Sequence, residues 1–392
     1  MSDAAIAQPV LGANHKQRLA ALHEKTDALH LFEFWGEDPA DEHQATNRLQ
    51  ADRTPAIPYL WKYREIHPCL LEAAELVPME MSERRSIIMV NPALRPVVAT
   101  VSTLFAAYRI NSPHEMMPPH RHSPNAIRFG LTGNTNFTSV NGEHITFGPG
   151  DLVLTPHDTW HNHGNGPENA SVNLSVLDMP LVNMLNATYF QFDYRELEGE
   201  TLVAKKVQSA RVPEGYSQQC YGTGGLLPRF VDHRRGAGTS SPMFAYRWES
   251  TEKMLRQIHD HEGSPYEGII VEYVDPVTGG PVYKTMTFFI QMLRPGEKLL
   301  PVRQNSSQIC TVFSGRGTSI VGGRTFEWEP FDTFCIPGGH WYTHSNPTSE
   351  DAVLFVSSDE PALRKLGFAL KHGRDSNGDP VVLESSTHSA RL

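Results

Sequence analysis

Apolar and polar residues alternate from Asn136 to Val140, pause at Asn141-Gly142, and resume from His144 to Phe147. Period-two alternation marks a half-buried strand, and an Asn-Gly pair between two such runs supplies the positive φ angles of a tight hairpin. Gly148-Pro149-Gly150-Asp151 turns the chain again, and Leu152-Val153-Leu154 begins a further strand that leads into Pro156. Other strands are expected near Ile87 and Val98. Another is expected between Ala170 and Val182, ending at Asp178-Met179-Pro180.

Helical spacing is confined to a few places. Residues 1 to about 14 read as a loose tail. Leu19, Leu22 and Leu29 among charged neighbours then predict an amphipathic helix from His15 to Leu29. An aromatic patch, Leu31 to Trp35, and an acidic, proline-bearing connection lead to Pro58. Pro68 suits the first turn of a second helix reaching Leu76. Residues 183–280 are weakly patterned, with a helix expected from Ser250 to His259. The glycines of Gly222 to Gly225 lack a following Lys-Ser/Thr, so they do not make a phosphate loop.

The strand-rich pattern repeats. Arg294-Pro295-Gly296-Glu297, then Val302-Arg303-Gln304 and Gly315, reproduce the spacing around His120-Arg121-His122 and Gly133. Asp332, Pro337, Trp341, Tyr342 and His344 likewise match Asp151, Pro156, Trp160, His161 and His163. A repeat carried by turn and ligand positions implies two copies of one small β unit.

Composition narrows the function classes. The 392 residues carry a formal net charge of −10, which argues against a nucleic-acid partner, since phosphate binding needs a basic face. Cys69, Cys220, Cys310 and Cys335 are widely spaced and form no CxxC pair, as expected of reduced thiols in a cytoplasmic protein. No signal peptide and no membrane-spanning run is expected.

The candidate chemistry lies in the first copy. His120 and His122, two apart on a strand, point to the same face, and His161 arrives from a neighbouring strand with His163 just beyond. Three imidazoles complete one side of a metal's coordination sphere and leave the other open. Zinc, copper, nickel and iron all suit such ligands. In the second copy the corresponding positions are Val302, Gln304 and Tyr342, a poor metal site, so one metal per chain is expected.

These motifs resemble the cupin superfamily, whose HxH is met by His120-Arg121-His122 and whose Gly…Pro…His…Asn order is met by Gly150, Pro156, His161 and Asn165. The resemblance implies an all-β core of two cupin (double-stranded β-helix, jelly-roll-like) barrels with a helical N-terminal extension. The implied boundaries are an extension over 1–85, a metal-binding barrel over 86–185 and a linker over 186–280. A degenerate barrel over 281–370 and a tail over 371–392 complete the chain. Many cupins carry a glutamate ligand where this chain has Ala126, so the implied metal set is His120, His122 and His161 without a carboxylate.

Longer runs resemble the gentisate 1,2-dioxygenase group, which includes salicylate and 1-hydroxy-2-naphthoate dioxygenases. They include Tyr59-Leu60-Trp61, Glu83-Arg84-Arg85, Ala126-Ile127-Arg128-Phe129, Trp160 to Asn165, Leu177 to Val182, Tyr246-Arg247-Trp248 and Asp275 to Gly280. This resemblance implies Fe(II), dioxygen, a homotetramer and an aromatic 2-hydroxy acid cleaved between its carboxyl- and hydroxyl-bearing carbons. Such an acid chelates a metal through two oxygens, and an arginine fork suits its remaining carboxylate oxygen. The resemblance gives Arg128 that task, adds Arg84 to the pocket, and places His163 against the substrate, either to accept the phenol proton or to bond the carboxylate.

Three departures bear on the substrate. Ser175 stands where gentisate enzymes have an aspartate near His163, leaving that histidine only a neutral hydrogen bond. Phe105-Ala106-Ala107-Tyr108-Arg109 replaces a Tyr-Ala-Gly-x-Gln run, so Phe105 lines the pocket, Arg109 replaces a polar neutral residue and the Ala107 methyl narrows the space beside it. These changes suit a 5-substituted salicylate such as a nitrosalicylate. The competing class is a non-oxidative metal-binding cupin, an isomerase or a ligand-binding protein, against which Ala126 counts.

Overall fold

A computed structural model of the chain describes residues 13–32, 55–78, 85–231 and 238–386. They separate into two compact units, 1–55 and 56–392. In the first, Ala13–Ala28 is helical and none of its residues is fully buried, Leu19 being half-buried and Leu22 exposed. Residues 33–35 of the aromatic patch and the Arg84 position lie outside the described residues. No helix among the described residues is long and apolar enough to cross a membrane.

The second unit opens with Tyr59–Trp61, which extends a sheet of the second barrel by pairing with Thr333–Ile336. The helix that follows spans Tyr63–Leu76, starting five residues before Pro68. Its start is set from outside the helix. Asp332 accepts the Tyr63 N–H at 2.8 Å and the Lys62 ammonium at 2.7 Å. That capping outweighs the hydrogen bond to the Arg64 carbonyl that Pro68, lacking an N–H, cannot make. No strand forms at Val98, which is exposed in a loop. Pro92 and Pro96 withhold ladder donors there, and the strand begins at Phe105 instead.

The main sheet of the first barrel runs, neighbour to neighbour, Ala245–Tyr246, Leu152–Thr155, Ala126–Thr132, Ser171–Leu177, Phe105–Asn111 and Ser86–Ile88. A facing sheet holds Glu143–Phe147, Asn136–Val140 and His161–Asn165. Its hairpin turns at Asn141 and Gly142, with φ of 49° and 83°, as the Asn-Gly pair predicts. The second barrel repeats the plan, with Thr287–Leu293, Gln308–Ser314, Thr333–Ile336 and Ala352–Ser358 in one sheet. Gly133 and Gly315, the matched repeat glycines, share a φ of 77°.

Every residue of Phe105–Asn111, Ser171–Leu177 and Ala352–Ser358 is buried, so these strands are covered on both faces. The outward face of the first barrel's sheet, including Tyr108, Ile127, Phe129, Leu174 and Val176, packs on Phe288, Ile290, Ile309 and Phe355 of the second. Phe129 and Phe355 stack with ring centroids 4.0 Å apart. The two barrels are therefore joined sheet to sheet through one apolar core. The inward face of the first barrel is left to carry polar residues.

Candidate metal centre

His120 and His161 exchange both backbone hydrogen bonds at 2.9 Å, which brings their side chains to one face. Their rings lie 4.4 Å apart, and the His122 ring lies 4.7 Å from that of His161. All three histidines are buried. Each turns Nδ1 toward a backbone carbonyl: His120 to Pro118 at 3.2 Å, His122 to Pro124 at 2.8 Å, and His161 to Thr159 at 2.8 Å. A carbonyl only accepts, so each Nδ1 carries the proton and each Nε2 carries the lone pair. This is the tautomer of a metal-ligating imidazole whose other nitrogen is fixed by a backbone acceptor.

His163 borders the same space. Ligand atoms of His120, His161 and His163 lie within 4.8 Å of one another, a grouping that omits His122. Hydrogen bonding favours His122 over His163 as the third ligand. A guanidinium only donates, so the 3.1 Å contact from Arg128 Nη2 makes His163 Nε2 an acceptor already engaged. Its Nδ1–H donates to Thr138 Oγ1 at 2.8 Å. Burial, with Arg128 and Arg109 nearby, holds the pKa of His163 well below the usual histidine value, so the ring is neutral.

The wall opposite these histidines follows from strand register. Ala107, Ser175 and Arg128 stand side by side across three strands, as do Phe105, Leu177 and Ala126 one pleat along and Arg109, Asn173 and Gly130 on the other side. Phe105, Ala107, Ala126 and Leu177 form a small apolar cluster with Ile88 and Met179, separate from the inter-barrel core. At the other end Arg109 donates from Nε to Asn111 at 2.8 Å and from Nη2 to the Met117 sulfur, and Asn111 donates to Asn136 at 2.8 Å. The site face thus grades from apolar to polar along the barrel.

Ser175 Oγ is buried and makes no hydrogen bond among the described residues. The neutral hydrogen bond expected from it to His163 is absent, and Arg128 occupies that role. Of the two adjacent arginines, Arg84 lies outside the described residues. Arg85 is a structural tie, paired with Glu115 and bonded to the Ala74 carbonyl at 3.0 Å. Sequence reasoning missed Asn111, which period-two spacing from Arg109 would have found, and Thr138 and Asn136, which only cross-strand pairing and folding bring to His163 and Asn111. It also missed Phe190 and Phe192, whose rings lie 5.3 Å from His122 and 6.2 Å from His120. They arrive on a segment that pairs with Arg121–His122, and no local signal in the sequence announces it.

The corresponding positions of the second barrel are packed differently. Val302 and Tyr342 are buried in an apolar interior with Val312, Phe334, Leu354 and Val356. His344, the counterpart of His163, meets Ser319 at 2.7 Å.

Residues 110–177 and 289–358 each match the cupin domain model. The chain is 35% identical over 359 residues to a 5-aminosalicylate 1,2-dioxygenase of Comamonas sp., covering 89% of this chain and 88% of that one. It is 34% identical to gentisate 1,2-dioxygenase 1 of Aquipseudomonas alcaligenes, covering 79% and 85%. To a 1-hydroxy-2-naphthoate 1,2-dioxygenase of a Nocardioides strain it is 30% identical, covering 84% and 81%. The crystal structure of salicylate 1,2-dioxygenase from Pseudoaminobacter salicylatoxidans with gentisate superposes at a TM-score of 0.80, with 25% identity, covering 96% of this chain and 99% of that one.

Proposed function

The chain belongs to the gentisate 1,2-dioxygenase family of two-barrel cupins and is a ring-cleaving dioxygenase, and from that premise we propose an Fe(II) enzyme for a salicylate-like acid. In this reading iron is bound by Nε2 of His120, His122 and His161. The observation that carries it is the shared tautomer of those three buried rings, each with Nδ1–H held by a carbonyl. Ala126 supplies no carboxylate, so the donor set is neutral. A ferrous ion there would supply Lewis acidity and electrons for dioxygen activation.

The protein's own residues bind and orient the substrate. Arg128 pairs its fork with the substrate carboxylate, giving up its contact with His163. His163 Nε2 then accepts the phenol proton while Thr138 holds Nδ1–H, fixing the ring's orientation. Phe105 and Ala107 pack against the aromatic ring, and Arg109 and Ser175 act on its substituents. Phe190 and Phe192 border the histidines on the other side. The resemblance also implies a homotetramer, and the widely spaced cysteines a cytoplasmic protein, which sedimentation and cell fractionation would test.

The deciding experiment loads the protein anaerobically with Fe(II) and follows oxygen uptake with gentisate, salicylate, 5-aminosalicylate, a nitrosalicylate and 1-hydroxy-2-naphthoate. Uptake is expected with at least one acid lacking a 5-hydroxyl group, and none with benzoate, which cannot chelate. Silence with every 2-hydroxy acid at full iron occupancy would overturn the reading.

A further inference from the structure

The loop that carries His122 is held by a carboxylate outside the histidine cluster. Asn125, three residues on, donates its backbone N–H to Asp178 Oδ1 at 2.8 Å and its side-chain amide to Asp178 Oδ2 at 2.9 Å. The Asn125 side-chain oxygen accepts the His157 N–H at 2.9 Å, and the His122 carbonyl accepts the Asp158 N–H at 3.0 Å. Between them lies Pro124, whose carbonyl fixes the His122 ring at 2.8 Å. Asp178 is fully buried, and its Oδ2 also accepts the hydroxyl of Thr285. Thr285 comes from the segment entering the second barrel, as does Tyr283, whose hydroxyl donates to the Ala126 carbonyl at 2.8 Å. A residue of the second barrel thus closes the hydrogen-bond network around one histidine of the first.

The same device occurs in reverse. Asp359 of the second barrel accepts the Ser307 N–H at 2.7 Å and the hydroxyl of Thr103, which enters the first barrel. Ser307 is the repeat counterpart of Asn125, and Gln304 that of His122. Both threonines are half-buried. The two clamps therefore match in construction and differ in what the clamped loop carries: a histidine in one barrel, a glutamine in the other.

We propose that Thr285 and Tyr283, acting through Asp178, Asn125 and the Ala126 carbonyl, are positioning residues for the His122 ligand, so that the second barrel sets the geometry of the first barrel's metal centre. This rests on the three-histidine reading above. It also gives the degenerate barrel a function that its apolar interior does not: it need not bind metal to govern how tightly metal is bound. Groups outside the coordination sphere that orient ligands typically change metal affinity ten- to a hundredfold when removed.

The test uses the full chain and Co(II) as probe, titrated anaerobically and followed by its visible ligand-field spectrum. Thr285→Val is expected to raise the Co(II) dissociation constant about tenfold and change the spectrum, and Tyr283→Phe to do so more weakly. Thr285→Ser, which keeps the hydroxyl, should restore both. Thr103→Val is the matched control: it should lower the unfolding temperature about as much as Thr285→Val while leaving cobalt affinity within twofold. Wild-type affinity and spectrum in both Thr285→Val and Tyr283→Phe, or equal weakening in Thr103→Val, would overturn the proposal. Failure of the wild-type chain to bind Co(II) at all would instead overturn the metal-centre reading on which it stands.

Discussion

Arg128 is almost wholly buried, and its guanidinium is divided between its neighbour's carbonyl, Ile127 O at 2.7 Å, and His163 at 3.1 Å. A lysine there keeps the charge and loses the planar fork. Arg128→Lys is therefore expected to lower kcat/KM by roughly ten- to a hundredfold, about 1–3 kcal/mol, with metal content unchanged. Unaltered kinetics would remove Arg128 from substrate binding. Ser175 is read differently with the register known, because its cross-strand partner is Arg128 rather than His163. An aspartate at this position would compete for the guanidinium and pull it from His163. Ser175→Asp should then raise kcat/KM for gentisate relative to salicylates, and an unmoved ratio would exclude that role. At this scale the sequence was most legible where chemistry and period coincide: His120, His122, His161 and Arg128 all face the site. Hydrogen-bond partners were not legible, because Thr138, Thr159 and Pro124 are joined to these rings only by folding.

The hairpin Asn136–Phe147 was legible from its Asn-Gly turn, and in Glu143–Phe147 buried and half-buried residues alternate as expected, whereas in Asn136–Val140 only Phe137 is not buried. Alternation failed where both faces are buried, as in Phe105–Asn111, because apolar residues occur on both: Phe105 and Ala107 face the site, while Ala106, Tyr108 and Ile110 join the inter-barrel core. Helix starts were misjudged for a related reason: the cap of Tyr63–Leu76 is Asp332, some 270 residues away in sequence. The second barrel's strands carry a prediction of their own. Burial lowers the pKa of His344 to about 4. A histidine whose folded pKa lies below its unfolded value contributes stability above the unfolded pKa of about 6.5, and loses it as pH falls toward 4. That contribution is about 3 kcal/mol. Asp359 and Glu360, raised by burial to about 6 and 7, act oppositely, losing stability as pH rises through those values. They cancel in a difference between two proteins. Wild type minus His344→Gln should therefore lose most of its unfolding free-energy difference between pH 7 and pH 4.5, measured by denaturant titration. A pH-independent difference would show that His344 is charged or solvated in the native state.

The whole molecule is organised by the face that the two barrels share. Two copies of one unit were visible in the repeat, but the mode of joining was not, since nothing in period-two spacing says which face of a strand meets which barrel. Phe129 and Phe355 stack at the centre of that joint, and Phe288 stacks on Phe355 with ring planes 8° apart. Truncating a buried phenylalanine costs about 3–5 kcal/mol, and here the loss falls on a surface that neither barrel can bury alone. An excised first barrel would expose Tyr108, Ile127, Phe129, Leu174 and Val176 together, a patch of the kind that drives aggregation. The barrels are therefore expected to unfold as one unit. Phe355→Ala, placed in the barrel without the histidine site, should lower the denaturant midpoint for metal release from the first barrel as much as that for the fluorescence of Trp328 in the second. The wild-type midpoints for the two signals should coincide, since a shared core couples its halves. If Phe355→Ala moved the Trp328 transition and left metal release where it was, the barrels would be independent domains and the shared core a contact without cooperative consequence.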